Sequence, residues 1–274
     1  MLDVNMPLVM GILNVTPDSF FDGGKFNDQT NIVNQVERML ADGAAIIDIG
    51  AVSSKPGAEL VSEEEEIARL IPAVNLIHKE FPHAVLSVDT FRSSVAMLAI
   101  EKGASIINDI SAGAVDKNMF AAIASLQVPY LIMHMQGTPQ TMQLNPVYKN
   151  VTLEVMQFFV QQLKVLRGLG VKDVLIDPGF GFGKTTEHNY KLLQDLKSFQ
   201  LFDCPVVVGV SRKGMINKVI DTKPEEALNG TTAVNTIALM NGANILRVHD
   251  VKQAVEAIKI VNKLNKVNTI SNEQ

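Results

Sequence analysis

Eight short apolar runs, rich in Val and Ile, recur along the chain, and each closes on polar residues. They cover residues 8–15, 44–50, 84–90, 105–109, 129–135, 174–177, 205–210 and 244–248. Runs of this length, bounded by Gly, Pro and polar clusters, predict buried strands. Between them the apolar period changes. Ile32, Val33, Val36, Met39 and Leu40 fall on one helical stripe, and Ile67, Leu70, Ile71, Val74 and Ile77 on another. Ser62-Glu63-Glu64-Glu65 has the form of a capping box with acids in the first turn, so helix-start electrostatics explains that acidic run better than a binding patch does. Further helices are expected over 93–102, 151–168 (with Gly168 or Gly170 as its C-cap), 227–240 and 251–264. Strands alternating with helices at this density predict an α/β chain folded as a single (β/α)8 TIM barrel over residues 1–266, with a doubly wound open sheet as the alternative. The polar residues 267–274 are expected to fray.

Composition narrows the partners. The net charge is −5 and the pI about 5.6, which disfavours bulk binding to nucleic acid or to an anionic membrane. Cys204 is the only cysteine, so an internal disulfide is excluded and a reducing compartment fits. The five histidines show no zinc-type pairing. Asp3 and the short first apolar run do not make a signal peptide or a span, and the expected location is cytoplasmic.

Candidate chemistry gathers at the ends of the runs. The sixth run leads into Asp177-Pro178-Gly179-Phe180-Gly181-Phe182-Gly183-Lys184-Thr185, a carboxylate at a strand tip followed by a tight glycine loop. Its GKT imitates a phosphate loop, but Pro178 stands where the first glycine of G-x-x-x-x-G-K-[ST] belongs, and G-x-G-x-G is not the dinucleotide spacing. Gly209-Val210-Ser211-Arg212-Lys213 is likewise no hydrolase elbow.

In a barrel the C-terminal strand ends carry the chemistry. The mouth would therefore collect Asn14, Asp89, Asn108, Asp177, Lys213, Arg247 and His249. Arg247 and His249 share a face, as do Ser211 and Lys213 if the strand persists that far. Asp89, Asn108 and Asp177 suit a flat heterocycle rich in N–H donors. Arg247, His249 and Asn14 suit a phosphate-like anion, with magnesium bridging to Asn14. Plainer readings stand beside these. Asp48, in mid-strand, reads as a satisfied structural group and His134 as a packed histidine, while Arg247 and the acids could form a structural ion network.

The segments GILNVTPDSF (11–20), SVDTFR (87–92), INDISAG (107–113), DPGFGFGK (177–184), VGVSRK (208–213) and ILRVHDV (245–251) together resemble dihydropteroate synthase, from the first strand to the last. DPGFGFGK and SRK set this resemblance apart from the pterin-binding methyltransferases. The resemblance implies a transferase of folate biosynthesis that condenses 6-hydroxymethyl-7,8-dihydropterin diphosphate with 4-aminobenzoate, depends on magnesium, is a sulfonamide target and works as a homodimer. It implies a pterin site at Asp89, Asn108, Asp177, Lys213 and Arg247, and a diphosphate site at Asn14, Ser54, Arg247 and His249 with the metal on Asn14. It places 4-aminobenzoate against Ser54, Lys55, Pro56, Phe182 and Ser211, and gives the catalytic roles to Lys213, Arg247 and His249. Loops at 16–27 and 51–62 would close over the site. The second loop departs from the family's usual G-G-E-S-T-R-P-G: Val52 replaces a glutamate, Ser54 a threonine and Lys55 an arginine. A lysine does not reproduce an arginine fork. A non-catalytic pterin-binding paralogue and a pterin-dependent methyltransferase domain are the alternative functions.

Overall fold

The computed structural model describes residues 6–15, 25–52, 61–138, 141–142 and 145–271, with the side chains of 25–28 and 268–271 left out. The strands are β1 (Leu8–Asn14), β2 (Ile46–Gly50), β3 (Val85–Asp89), β4 (Ile106–Asp109), β5 (Tyr130–Met133), β6 (Val174–Asp177), β7 (Val207–Val208) and β8 (Ile245–Val248). They alternate with helices α1 (Lys25–Ala41), α2 (Glu63–Glu80), α3 (Ser93–Glu101), α4 (Met119–Leu126), α5 (Val151–Gly168), α6 (Thr186–Gln194), α7 (Gly214–Ile220), α8 (Leu228–Met240) and α9 (Val251–Ser271). Every strand pair is parallel, in the order β6-β5-β4-β3-β2-β1-β8-β7. A bridge between Ile176 and Val206 closes the sheet into the expected barrel and rules out the open sheet.

Alternation along each strand separates two cores. Outward residues such as Leu13, Ile49, Val88, Ile132 and Leu246 pack with Val36, Leu70, Val95 and Phe159 of the helices. Inward residues Met10, Ile46, Ile106, Leu131, Leu175, Val207 and Ile245 plug the lower barrel as one apolar layer. Each such side chain contributes roughly 1.5–3 kcal/mol when fully buried.

Local signals set the ends of the helices. Ser62 caps α2 by accepting the Glu65 N–H at 3.2 Å, but the Glu65 carboxylate pairs with Arg69, so the capping box is one-sided. The reciprocal box sits on α6 instead, where Thr185 and His188 cap each other directly after the glycine loop. At the end of α5, Leu169 is the C-cap and Gly170 follows at φ 82°. Among the described residues, no helix is long and apolar enough to cross a membrane.

Candidate active site

Two residues above the apolar plug, the inward positions on β2, β3, β4, β6 and β8 turn polar. Asp48 lies on β2, Ser87 and Asp89 on β3, Asn108 on β4, Asp177 on β6 and Arg247 on β8. Strand register sets Asp48 beside Ser87, Asp89 beside Asn108, and Asp177 beside Met133. Arg247 crosses the barrel, donating from Nε to Asp48 Oδ2 at 2.7 Å and from Nη2 to Asp89 Oδ2 at 2.9 Å. Asp48 also accepts from Ser87 Oγ at 2.6 Å and Asn108 Nδ2 at 3.0 Å. A Cβ at Gly209 would lie 3.7 Å from Asp177 Oδ2 and 3.8 Å from both Arg247 Cβ and Lys213 Nζ, so Asp177, Lys213 and the stem of Arg247 all stand beside this glycine.

Burial pushes the Asp89 carboxyl up to about 7, against the opposing pull of Arg247 and with Asp48, Asp109 and Glu66 adding to the rise. Burial raises Asp177 as well, opposed by Lys213 and by the Gly179 N–H, which donates to its Oδ1 at 2.7 Å. Burial lowers Lys213 to about 8, with Asp177 resisting. Burial also works against the charge of Arg247, yet Asp48 and Asp89 hold it firmly protonated, above the usual guanidinium value.

The glycine loop folds back over this layer. Lys213 donates to Phe180 O at 2.6 Å, with its ammonium 4.6 Å from the centre of the Phe182 ring. Phe182 closes an apolar wall with Phe91, Ile110, Met133 and Met142, flanked by Val52 and Met135. Lys184, only 3% exposed, sits beneath the loop. Its ammonium is held by the carbonyls of Gly179 at 2.9 Å, Phe182 at 3.0 Å and His134 at 3.3 Å, and lies 3.0 Å from His134 Nδ1. Its position imitates a phosphate-binding lysine, but it is spent on the backbone. Burial takes His134 down to about 3, so the ring is neutral, packed edge-on against Phe158 as a core histidine.

Strand geometry does not persist from Ser211 to Lys213. Arg212 adopts φ 58° and pairs through Nε and Nη2 with Asp250, turning the chain into α7. Ser211 and Lys213 therefore separate: Ser211 Oγ lies 3.0 Å from His249 Nδ1, while Lys213 reaches the glycine loop. Ser211 Oγ also accepts the His249 backbone N–H at 3.3 Å, so the hydroxyl holds both the backbone and the ring of His249. Burial, then Arg212 and Arg247, take His249 down to about 4. Its ring is therefore neutral rather than one of the cations of the site.

Asn14 is exposed at the tip of β1. Among the described residues, no group of three or more His, Cys, Asp or Glu could hold a metal by itself. One carboxamide oxygen fits magnesium only as a share of a shell completed by ligand oxygens and water. Ser54, Lys55 and Pro56 lie outside the described residues, as do 16–24 and 53–60 of the expected lids, whereas Lys25 already opens α1. Two features were missed in the sequence, the engagement of Asp48 with Arg247 and the apolar wall. The signal for both was the period of two: Asp48 shares the parity of the plug residue Ile46, and Met133 that of Leu131.

A family model described as pterin binding enzyme matches residues 10–249. The dihydropteroate synthase of Escherichia coli K12 is 46% identical over 262 residues, covering 95% of this chain and 92% of that protein. The Yersinia pestis dihydropteroate synthase, solved with a sulfonamide drug, superposes with a TM-score of 0.91 at 42% identity, covering 97% of this chain and 96% of the other. The Xanthomonas albilineans enzyme, solved with 4-aminobenzoic acid, gives 0.90 at 38% identity, covering 96% and 95%. A polar barrel mouth built on these motifs, matched along nearly its whole length by such relatives, places the chain in the pterin-binding enzyme family, among the dihydropteroate synthases, which are transferases of folate biosynthesis.

Proposed function

We propose that this chain joins 4-aminobenzoate to 6-hydroxymethyl-7,8-dihydropterin diphosphate, releasing diphosphate and 7,8-dihydropteroate. One observation carries the reading: Asp177, Lys213 and the stem of Arg247 stand together beside Gly209, while the Arg247 guanidinium reaches Asp89, which lies next to Asn108 on the adjoining strand. Asp89, Asn108 and Asp177 offer acceptors to the N–H edge of a pterin, and Lys213 and Arg247 frame the ring. The bond between the pterin methylene carbon and the diphosphate oxygen breaks, and its electron pair leaves with diphosphate. The methylene becomes electron-poor, and the carboxylates around the ring offset that charge. The arylamine lone pair then forms the new carbon–nitrogen bond, and its proton leaves to solvent or diphosphate. The amine is neutral at pH 7, so it needs placement rather than a base. Phe182 and its apolar neighbours supply one wall, with Ser211, Ser54, Lys55 and Pro56 assigned to the same subsite.

Arg247 and the His249 ring are assigned to the leaving diphosphate, with Ser54 and Asn14 assigned to the same subsite. Magnesium bound there would neutralise the leaving oxygens, held by them and by Asn14. The same reading makes residues 1–266 one catalytic domain with 267–274 as its tail, in a cytoplasmic homodimer whose aminobenzoate subsite admits sulfonamides.

The test is a product assay with the dihydropterin diphosphate, 4-aminobenzoate and magnesium. Dihydropteroate should form, and Lys213→Ala should lower turnover at least tenfold, equivalent to ~1.4 kcal/mol. Pterin binding without product would favour the non-catalytic reading suggested by Val52, Ser54 and Lys55. Methyl transfer from a methyl-pterin would favour the methyltransferase.

A further inference from the structure

Asp48 is wholly buried, ion-paired with Arg247 and placed below the substrate-facing rim. The layer beneath it is apolar throughout, so the fold itself does not call for a carboxylate at this height. Burying an ion is costly, and replacing a buried pair by well-packed apolar groups is often neutral or stabilising. Its ionic partner, Arg247, is the residue that faces the mouth. Its three donors arrive from three different strands: Ser87 on β3, Asn108 on β4 and Arg247 on β8.

We propose that Asp48 is a positioning residue for the reaction, fixing the Arg247 guanidinium and the Asn108 carboxamide in single orientations before substrate arrives. The inference rests on the proposed role of the barrel mouth. A guanidinium gripped at Nε by Asp48 and at Nη2 by Asp89 cannot turn about its last torsion. Asn108 Nδ2 donates to Asp48 Oδ2, the oxygen that also accepts from Arg247 Nε, so the Asn108 Oδ1 is left for a ring N–H. Asp48→Asn lets both partners reorient: the new amide can donate as well as accept, and the Arg247 fork keeps only Asp89. Ser87 holds the far oxygen of Asp48 and so fixes the carboxylate plane.

The test is a double-mutant cycle in the full-length protein, using Asp48→Asn, Ser87→Ala and Arg247→Ala, with thermal melts confirming the folded state. Asp48→Asn should lower kcat about tenfold and Ser87→Ala about threefold, each with the KM for 4-aminobenzoate within about twofold of the parent. In the Arg247→Ala background, which itself loses at least about tenfold, both substitutions should cost clearly less than they do in the parent, because one of the two groups that Asp48 holds is gone. A role confined to stability would leave kcat of the folded fraction unchanged, and that result overturns the inference. Losses that multiply with Arg247→Ala overturn it too. If Asp48→Asn does not fold, Ser87→Ala alone decides, and a parental kcat rejects the proposal. Parental turnover in Arg247→Ala would instead remove the site reading, and this inference with it.

Discussion

At the centre of the mouth, Arg247 divides its charge between Asp48 and Asp89, and Asp89 bears the consequence. Its carboxyl stands at about 7, because burial outweighs what is left of Arg247 for it. The unfolded value lies near 3.9. Between those values the folded chain holds a proton that the unfolded chain has lost. The Asp89 contribution to stability is therefore fully present below about pH 4 and is lost as pH rises toward 7. Asp89→Asn removes this dependence while keeping a polar group of the same shape. The variant should gain thermal stability over the parent at pH 8, by at least ~2 °C, and lose that advantage toward pH 5. Melting both proteins across this range checks it; a difference that does not change with pH would mean that Asp89 titrates normally. Activity should move the opposite way, since a neutral amide cannot offset charge on the pterin. On the proposed mechanism, a carboxylate that burial holds against ionisation is one that the reaction uses.

The strands were legible because each is buried on both sides and written almost wholly in Val, Ile and Leu. β7 was overread: Pro205 lacks an N–H, and Arg212 turns left-handed, so only Val207–Val208 remains a strand. The long helices α2 and α5 announced themselves by their stripes, whereas α4, α6 and α7, of 8, 9 and 7 residues, carry too few turns for a period to show. At the site, residue type and strand-end position gave Asp89, Asn108, Asp177 and Arg247. They could not give the bond from Asp48 to Arg247, which joins residues 199 apart in the chain. The sequence marks the glycine loop as a close approach, and the structure shows what it approaches. A Cβ on Gly179 would lie 1.8 Å from the His134 carbonyl oxygen, at a residue with φ 76°. Gly170 has a similar φ of 82° but nothing within 4 Å. Gly170→Ala should therefore cost only the left-handed penalty, about 1–2 kcal/mol. Gly179→Ala should cost at least ~2 kcal/mol more and displace the loop that carries Phe182. Denaturant melts of the two variants isolate the close contact, and equal losses would deny it.

Closure of the barrel is uneven around its circumference. β1 and β2 pair over five residues, whereas β6 meets the β7 segment through the Ile176–Val206 bridge and the Ile176 N–H to Pro205 carbonyl bond of 3.0 Å. β7 itself pairs with β8 over only two residues. Opening free energies follow local hydrogen bonding and packing, so this seam is the part of the sheet expected to open first. The seam also runs through the proposed pterin site: Asp177 ends β6, Lys213 follows β7, and the Lys213 to Phe180 carbonyl bond crosses between them. A pterin held by both Asp177 and Lys213 would add contacts that span the gap. Anything that binds the closed form alone stabilises it by mass action. Amide exchange of Ile176, Val207 and Val208 should therefore be faster than that of Ile47 and Val88 in the free protein. Saturation with a pterin ligand should slow the first group at least about tenfold, with a smaller change in the second. Hydrogen-exchange mass spectrometry or NMR reads this directly. Protection spread evenly over all eight strands would place the ligand's stabilisation in the barrel as a whole. Protection confined to β1 and β2 would move the pterin away from Asp177 and Lys213.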